Sequence, residues 1–200
     1  AFPLINANDI ILCGSIYAIT REIRSRFVQF ISQAKEKGGI VLYDPNFRKA
    51  HASELDELRP LIVENMKMAV IIRGSDEDFK NIFGTGSPDT AWEVVRKYCD
   101  CMVYTASSDG VYVRTPSFTG SFPVKKITPV STIGAGDNFN AGMIAAIYKN
   151  GITRDELDKM GKEKWERIVS TGVSFASDVC MSYENYISDD FADRYLSEIK

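Results

Sequence analysis

Thr132-Ile-Gly-Ala-Gly-Asp137 sets two glycines around an alanine directly before a helical pattern that runs over residues 138–150 and stops at Gly151. The first turn of a helix carries unpaired N–H groups and the positive end of the helix dipole. A Gly-Ala-Gly approach lets a large anion reach those groups, because no bulky Cβ intervenes. Asp137 falls in that first turn, where a carboxylate is favoured and can accept a proton from a hydroxyl beside the anion. A cradle for developing negative charge and a base aimed at a nucleophile are what phosphoryl transfer needs. A lone GxGD also reads as a glycine-rich turn with Asp137 as a helix cap. The stretch is not a dinucleotide fingerprint, since the third glycine would fall at Phe139, and no Gly-Lys-Ser/Thr follows to make a P-loop. Small residues at Ala141, Gly142, Ala145 and Ala146 predict close packing of the helix on a sheet behind the loop.

Upstream, strands alternate with helices. Apolar runs at residues 9–13, 40–43, 69–72 and 101–105 read as strands buried on both faces. Between them, residues 20–37, 55–67, 76–83 and 90–97 carry helical patterns. Residues 110–113 and 121–126 read as an antiparallel hairpin, and 163–179 and 189–199 as later helices. Such alternation predicts one α/β domain over residues 1–200, with a mostly parallel sheet covered by helices on both faces. Ligands in such sheets sit at the carboxyl ends of the strands, so chemistry is expected in the loops after Cys13, Tyr43, Ile72 and Thr105.

Composition narrows the function classes. The chain has 200 residues, 44% hydrophobic and 26% charged, which are globular values. Its 24 basic and 27 acidic residues give a net charge of −3, so no basic excess exists to bind nucleic acid. Four cysteines (Cys13, Cys99, Cys101 and Cys180) show no CxxC spacing, and His51 is the single histidine, which argues against zinc. No apolar run is long enough to cross a membrane, and Ala1-Phe-Pro-Leu-Ile5 has no basic leader region, so a cytoplasmic chain is expected. His51 is expected to be solvent-exposed, Cys99 and Cys101 to be ordinary partly buried thiols, and Trp92 and Trp165 to pack. Glu163, Lys164, Glu166 and Arg167 read as a solvated helix face with short-range charge pairs.

The longer stretch Thr132-Ile-Gly-Ala-Gly-Asp-Asn-Phe-Asn-Ala-Gly142 strongly resembles the C-terminal signature of the ribokinase-like (PfkB) sugar kinases. The resemblance covers nearly the whole chain. Gly14-Ser15 resembles the loop ahead of the substrate region, and Asp44-Pro-Asn-Phe-Arg48 the Asp-Pro-Asn-x-Arg loop of fructokinase-like members. Arg73-Gly-Ser-Asp-Glu-Asp78 falls at the Asn-x-x-Glu motif, and residues 105–110 at Thr-Leu-Gly-x-x-Gly. The resemblance implies a three-layer ribokinase-like fold and a kinase that moves the ATP γ-phosphate to a primary sugar hydroxyl, with a fructokinase-like substrate. In it Asp137 is the general base, and the Gly134, Ala135 and Gly136 amides form the anion hole. Ser75, Asp78, Thr105, Ser107, Gly110 and Thr132 lie along the nucleotide, and Asp44, Asn46 and Arg48 face the substrate. Magnesium accompanies ATP, held by phosphate oxygens and water, with Asp78 in indirect contact.

Several positions depart from the pattern. Ser131 stands where the family usually has an Asp that helps bind a monovalent cation, so little dependence on potassium is expected. Ser75 and Asp78 replace the usual Asn and Glu, Ala106-Ser107 replaces Leu-Gly, and residues 180–185 lack the Gly-Ala pair of the adenine loop. These changes motivate one rival reading, a non-catalytic sugar- or nucleotide-binding relative. A nucleoside kinase of the same superfamily is a second rival, against which Asp44-Pro-Asn-Phe-Arg48 favours a sugar. A nicotinamide-dependent oxidoreductase is disfavoured by Phe139 and by the missing glycine fingerprint in the first strand–helix turn. Family members are usually longer. The resemblance therefore implies that an N-terminal portion with a small β lid precedes Ala1, that a homodimer forms through that lid, and that these 200 residues alone phosphorylate sugar poorly.

Overall fold

The computed structural model describes residues 2–197, so Ala1 and the end of the last expected helix lie outside the described residues. Six strands form one sheet whose spatial order is the chain order. Strands β1 (Ile10–Gly14), β2 (Ile40–Asp44), β3 (Ile71–Ser75) and β4 (Met102–Thr105) are parallel. Strands β5 (Val111–Arg114) and β6 (Thr119–Phe122) turn antiparallel. The helices are α1 (Arg24–Glu36), α2 (Leu55–Met68), α3 (Asp76–Phe83), α4 (Pro88–Val95), α5 (Ala135–Lys149), α6 (Lys162–Val179) and α7 (Asp189–Ser197).

Side chains alternate across the strands and are buried on both faces of the sheet. On one face Tyr43, Ile72, Met102 and Tyr104 pack against Ile62 and Met66 of α2, Phe79 and Ile82 of α3, and Val95 of α4. On the other, Ile40, Leu42, Ile71, Val103 and Val113 pack against Phe139, Met143 and Ile147 of α5 and Trp165 and Ile168 of α6. The expected α/β architecture, mostly parallel with helices on both faces, is therefore present. The alternation carries a second consequence. Asp44, Arg73 and Thr105 share the face beneath α5, each at or near the carboxyl end of its strand.

Some boundaries differ from expectation. The helix expected over 20–37 begins as two 3₁₀ turns, Ile16–Ile19 and Arg21–Ile23, because Thr20 is extended and its hydroxyl donates to the Ile16 carbonyl at 2.8 Å. The third strand starts at Ile71 and not at 69, since the Ala69 amide still closes α2 by donating to the Asn65 and Met66 carbonyls. The last strand is Thr119–Phe122 and not 121–126; Pro123 has no N–H for a ladder and ends it. Gly142 meets α6 and not the sheet: a Cβ there would lie 2.7 Å from the Thr171 carbonyl oxygen and 2.8 Å from the Gly172 Cα. Ala141 is exposed, while Ala146 is buried in the core.

Trp165 is fully buried and Trp92 packs at the edge of the core formed with α2, α3 and α4, as expected. Cys99 and Cys101 are more deeply buried than expected; burial pushes the Cys99 thiol up to about 11 and raises Cys101 as well, so both stay neutral. Arg167 pairs with Glu163 at 2.6 Å and Lys164 with Glu156 at 2.7 Å on a solvated face. No helix among the described residues is long and apolar enough to cross a membrane.

Candidate active site

Gly134 caps α5 in the left-handed region, with φ at 79°, which only glycine adopts without strain. Ala135 and Gly136 follow, and Asp137 is the third residue of the helix. The Gly134 and Gly136 amides donate to no carbonyl among the described residues, while the Ala135 amide makes a long bond of 3.3 Å to the Thr132 carbonyl. Asp137 is exposed and its carboxylate has no hydrogen-bond partner among the described residues. Both glycines also answer to protein neighbours. A Cβ at Gly134 would lie 3.0 Å from the Asn185 carbonyl oxygen, and one at Gly136 would lie 2.9 Å from Nη1 of Arg73. Close packing against Asn185 and Arg73 is thus one reason for glycine at both positions.

A cleft of about 430 Å³ runs from the start of α5 along β4. Thr105, Ser107, Thr132, Ala135 and Gly136 line its polar end, and Val124, Ile127, Val173 and Ala176 its apolar end. Ser75 also lines it, but the Ser75 hydroxyl donates to Asp78 at 2.6 Å. Gly110 does not reach the cleft. Its φ of 115° closes the turn after β4, and a Cβ there would lie 2.8 Å from the Phe122 carbonyl oxygen. Ser107 sits at φ 45°, a conformation that costs a β-carbon residue roughly 1–2 kcal/mol. Ser107→Gly is expected to raise stability by about 1 kcal/mol and Tm by about 2–4 °C. A thermal melt reads this, and an unchanged or lower Tm would mean that the serine side chain compensates for its own strain.

Asp78 is placed differently from its expected metal contact. It is buried, one carboxylate oxygen accepts from the Ser75 amide (2.8 Å) and hydroxyl (2.6 Å), and the other accepts from the Phe47 amide at 2.6 Å. Ser75 and Asp78 form a capping box that opens α3 and pins the loop after β2. Burial raises the Asp78 pKa, and the bonds from Ser75 and Phe47 oppose that shift. No group of three or more His, Cys, Asp or Glu among the described residues is placed to hold a metal ion.

Asp44, expected to face a substrate, is also buried, at 4% exposure. Its Oδ2 accepts from Nη1 of Arg73 at 2.9 Å and from Nδ2 of Asn140 at 2.7 Å, and its Oδ1 from the Asn46 amide at 3.0 Å. Arg73 also donates from Nη2 to the Thr105 hydroxyl at 2.8 Å. Asn46 and Arg48 line a second, smaller cleft of about 230 Å³ with Ser15, Ile16 and His51. The two clefts share no lining residue. His51 is half-buried there, with Nδ1 3.1 Å from Glu54 Oε1, so it is less exposed than expected. Ser131 accepts the Ile133 amide at 3.2 Å, turning the chain into the Gly134 cap.

Arg73, Asn140 and Asn185 were not among the expected site residues. Arg73 could have been found as a charge inside a strand that otherwise reads as buried. Asn140 lies four residues beyond Gly136 and therefore on the same helix face. Asn185 accepts Nδ2 of Asn138 at 2.9 Å through its carbonyl, a contact across 47 residues that no local pattern announces.

The profile of the pfkB family carbohydrate kinases matches residues 1–188. Fructokinase-1 of Oryza sativa subsp. japonica is 28% identical over 149 residues, which is 74% of this chain and 46% of that protein. Aminoimidazole riboside kinase of Salmonella typhimurium is 28% identical over 141 residues, 68% of this chain and 43% of that protein. The chain thus spans about half the length of the curated relatives it matches. Among solved structures, fructokinase from Vibrio cholerae O395 with fructose, ADP and calcium ion bound aligns at a TM-score of 0.80 and 22% identity, over 96% of this chain and 62% of that one.

Proposed function

The chain belongs to the pfkB family of carbohydrate kinases, and on that premise we propose that the whole protein transfers the γ-phosphate of ATP to a primary hydroxyl of a sugar, with a ketohexose as the leading candidate. The observation that carries the reading is Asp137: an exposed carboxylate with no partner among the described residues, one residue beyond the free Gly136 amide. Asp137 takes the proton of the attacking hydroxyl, while the Gly134 and Gly136 amides and the positive end of α5 face the charge that grows on the transferring phosphoryl group.

The cleft suits a nucleoside triphosphate. Its apolar end can cover a base, and its polar end leads to the free amides. Magnesium would arrive on the phosphates, held by their oxygens and by water; the Asp78 oxygens already carry intrachain bonds. The identity to a riboside kinase supports a second reading, in which the acceptor is a riboside. A panel of sugars and nucleosides in a coupled ADP-release assay on the whole protein tests both. Strongest turnover with a ketohexose is expected. Preference for a riboside establishes the second reading, and silence with every acceptor overturns both.

Potassium should matter little. Ser131 offers a neutral hydroxyl, already accepting the Ile133 amide, where the family usually carries a carboxylate. Replacing potassium by a bulky organic cation at constant ionic strength is expected to change kcat by less than about 2-fold. A larger loss would place a cation at this turn despite the serine.

A further inference from the structure

We propose that Arg73 is a positioning residue for phosphoryl transfer, which fixes the first turn of α5 over the ends of β2 and β4. The inference rests on the kinase reading for its consequence, and on geometry for its content. Arg73 lies in the middle of β3 with its side chain on the face under α5, and the residue is 8% exposed. Its planar fork spans three strands: Nη1 donates to Asp44 at the end of β2, and Nη2 to Thr105 at the end of β4. One guanidinium thus sets the relative positions of three strand ends.

The same group is the floor of α5. The Gly136 backbone is so close that a Cβ there would fall 2.9 Å from Nη1 and 3.6 Å from Cζ. The Phe139 ring packs with its centroid 5.4 Å from Cζ. One turn along, Asn140 donates to the same Asp44 oxygen that Nη1 holds. Gly136, Phe139 and Asn140 are therefore all located by the Arg73–Asp44 pair. Asp137 and the free amides, on the residues beside them, inherit that location.

Stability alone does not account for a charge here. Nε of Arg73 and Oδ1 of Asn140 are buried with no partner among the described residues, and an apolar pair of similar volume often serves stability as well as a buried ion pair. What an apolar pair lacks is direction. A lysine would keep the charge and lose the fork.

The test is Arg73→Lys in the whole protein, with two readouts. In steady-state kinetics kcat is expected to fall at least about 10-fold with KM for ATP within about 3-fold, since misplaced reacting groups cost rate more than binding. In amide hydrogen exchange without nucleotide, the segment 132–140 is expected to exchange faster while the helices on the opposite face keep their protection. Unchanged exchange in 132–140 overturns the proposal, whatever the kinetics. If the wild-type protein phosphorylates no acceptor, the kinase reading fails, and exchange alone decides the role of Arg73. Should Arg73→Lys not fold, Thr105→Val removes one arm of the fork. It is expected to raise exchange in the same segment, and unchanged protection there overturns the proposal equally.

Discussion

Asp137→Asn is expected to lower kcat by about 10²–10⁴-fold, the usual size of a general-base effect. The structure separates this carboxylate from those with a structural task. Asp78 and Asp44 are buried and each accepts three hydrogen bonds, whereas Asp137 is exposed and accepts none among the described residues. Asparagine has nearly the same shape, so the cap geometry at Gly134 and the contact of Gly136 with Arg73 should survive. The only folding contribution lost is the attraction of a carboxylate to the helix N-terminus, about 0.3–1 kcal/mol. A variant with nearly wild-type Tm and a collapsed kcat is the expected pair of results. Nearly wild-type kcat in the folded variant would move the base to another residue.

Arg73→Met carries the largest expected effect on folding. It leaves the Asp44 carboxylate, 4% exposed, with the Asn140 amide and the Asn46 amide but no cation. Breaking a buried pair from one side costs about 3–5 kcal/mol, because the remaining charge is uncompensated. For a chain of this size that corresponds to a fall in Tm of about 6–20 °C. Adding Asp44→Asn removes the stranded charge and should recover most of the loss, since neutral partners of similar volume fit such sites well. Urea unfolding of the two single variants and the double variant gives the coupling directly. Additive losses would show that the two side chains do not act as a pair.

The fold was legible wherever the chain announces it locally. The apolar runs at 40–43 and 101–105 read as buried strands, and strands β2 and β4 lie there. The errors sit where tertiary contacts or single backbone groups decide. Thr20 interrupts the first helix by its own extended conformation, and Pro123 ends β6 by lacking a donor. The site shows the same division. Residues 132–137 could be read as a helix start with unpaired amides, because a helix start is a local event. Asp44 was expected to face a substrate and Asp78 to lie by the nucleotide and metal, but both carboxylates accept intrachain donors, and which donors face them is decided by tertiary structure. For Asp78 a local signal did exist: Ser75 and Asp78 have capping-box spacing, which anticipates a carboxylate occupied by its own helix start. Arg73 gave a fainter one, a cation directly after the apolar Ile71 and Ile72 of β3.

The sequential order of the sheet has a kinetic side. The Arg73–Asp44 contact joins residues 29 apart, and the Asn140–Asp44 contact joins residues 96 apart. Closing the longer loop costs about 1 kcal/mol more in chain entropy than closing the shorter. Neighbouring strands can meet through short crossovers, whereas α5 must return across the whole sheet to reach β2. Chain entropy therefore favours assembly of the strand-end ion pair first, with α5 arriving on a floor already laid. The groups that would perform the chemistry then belong to a segment that docks after the strands it covers.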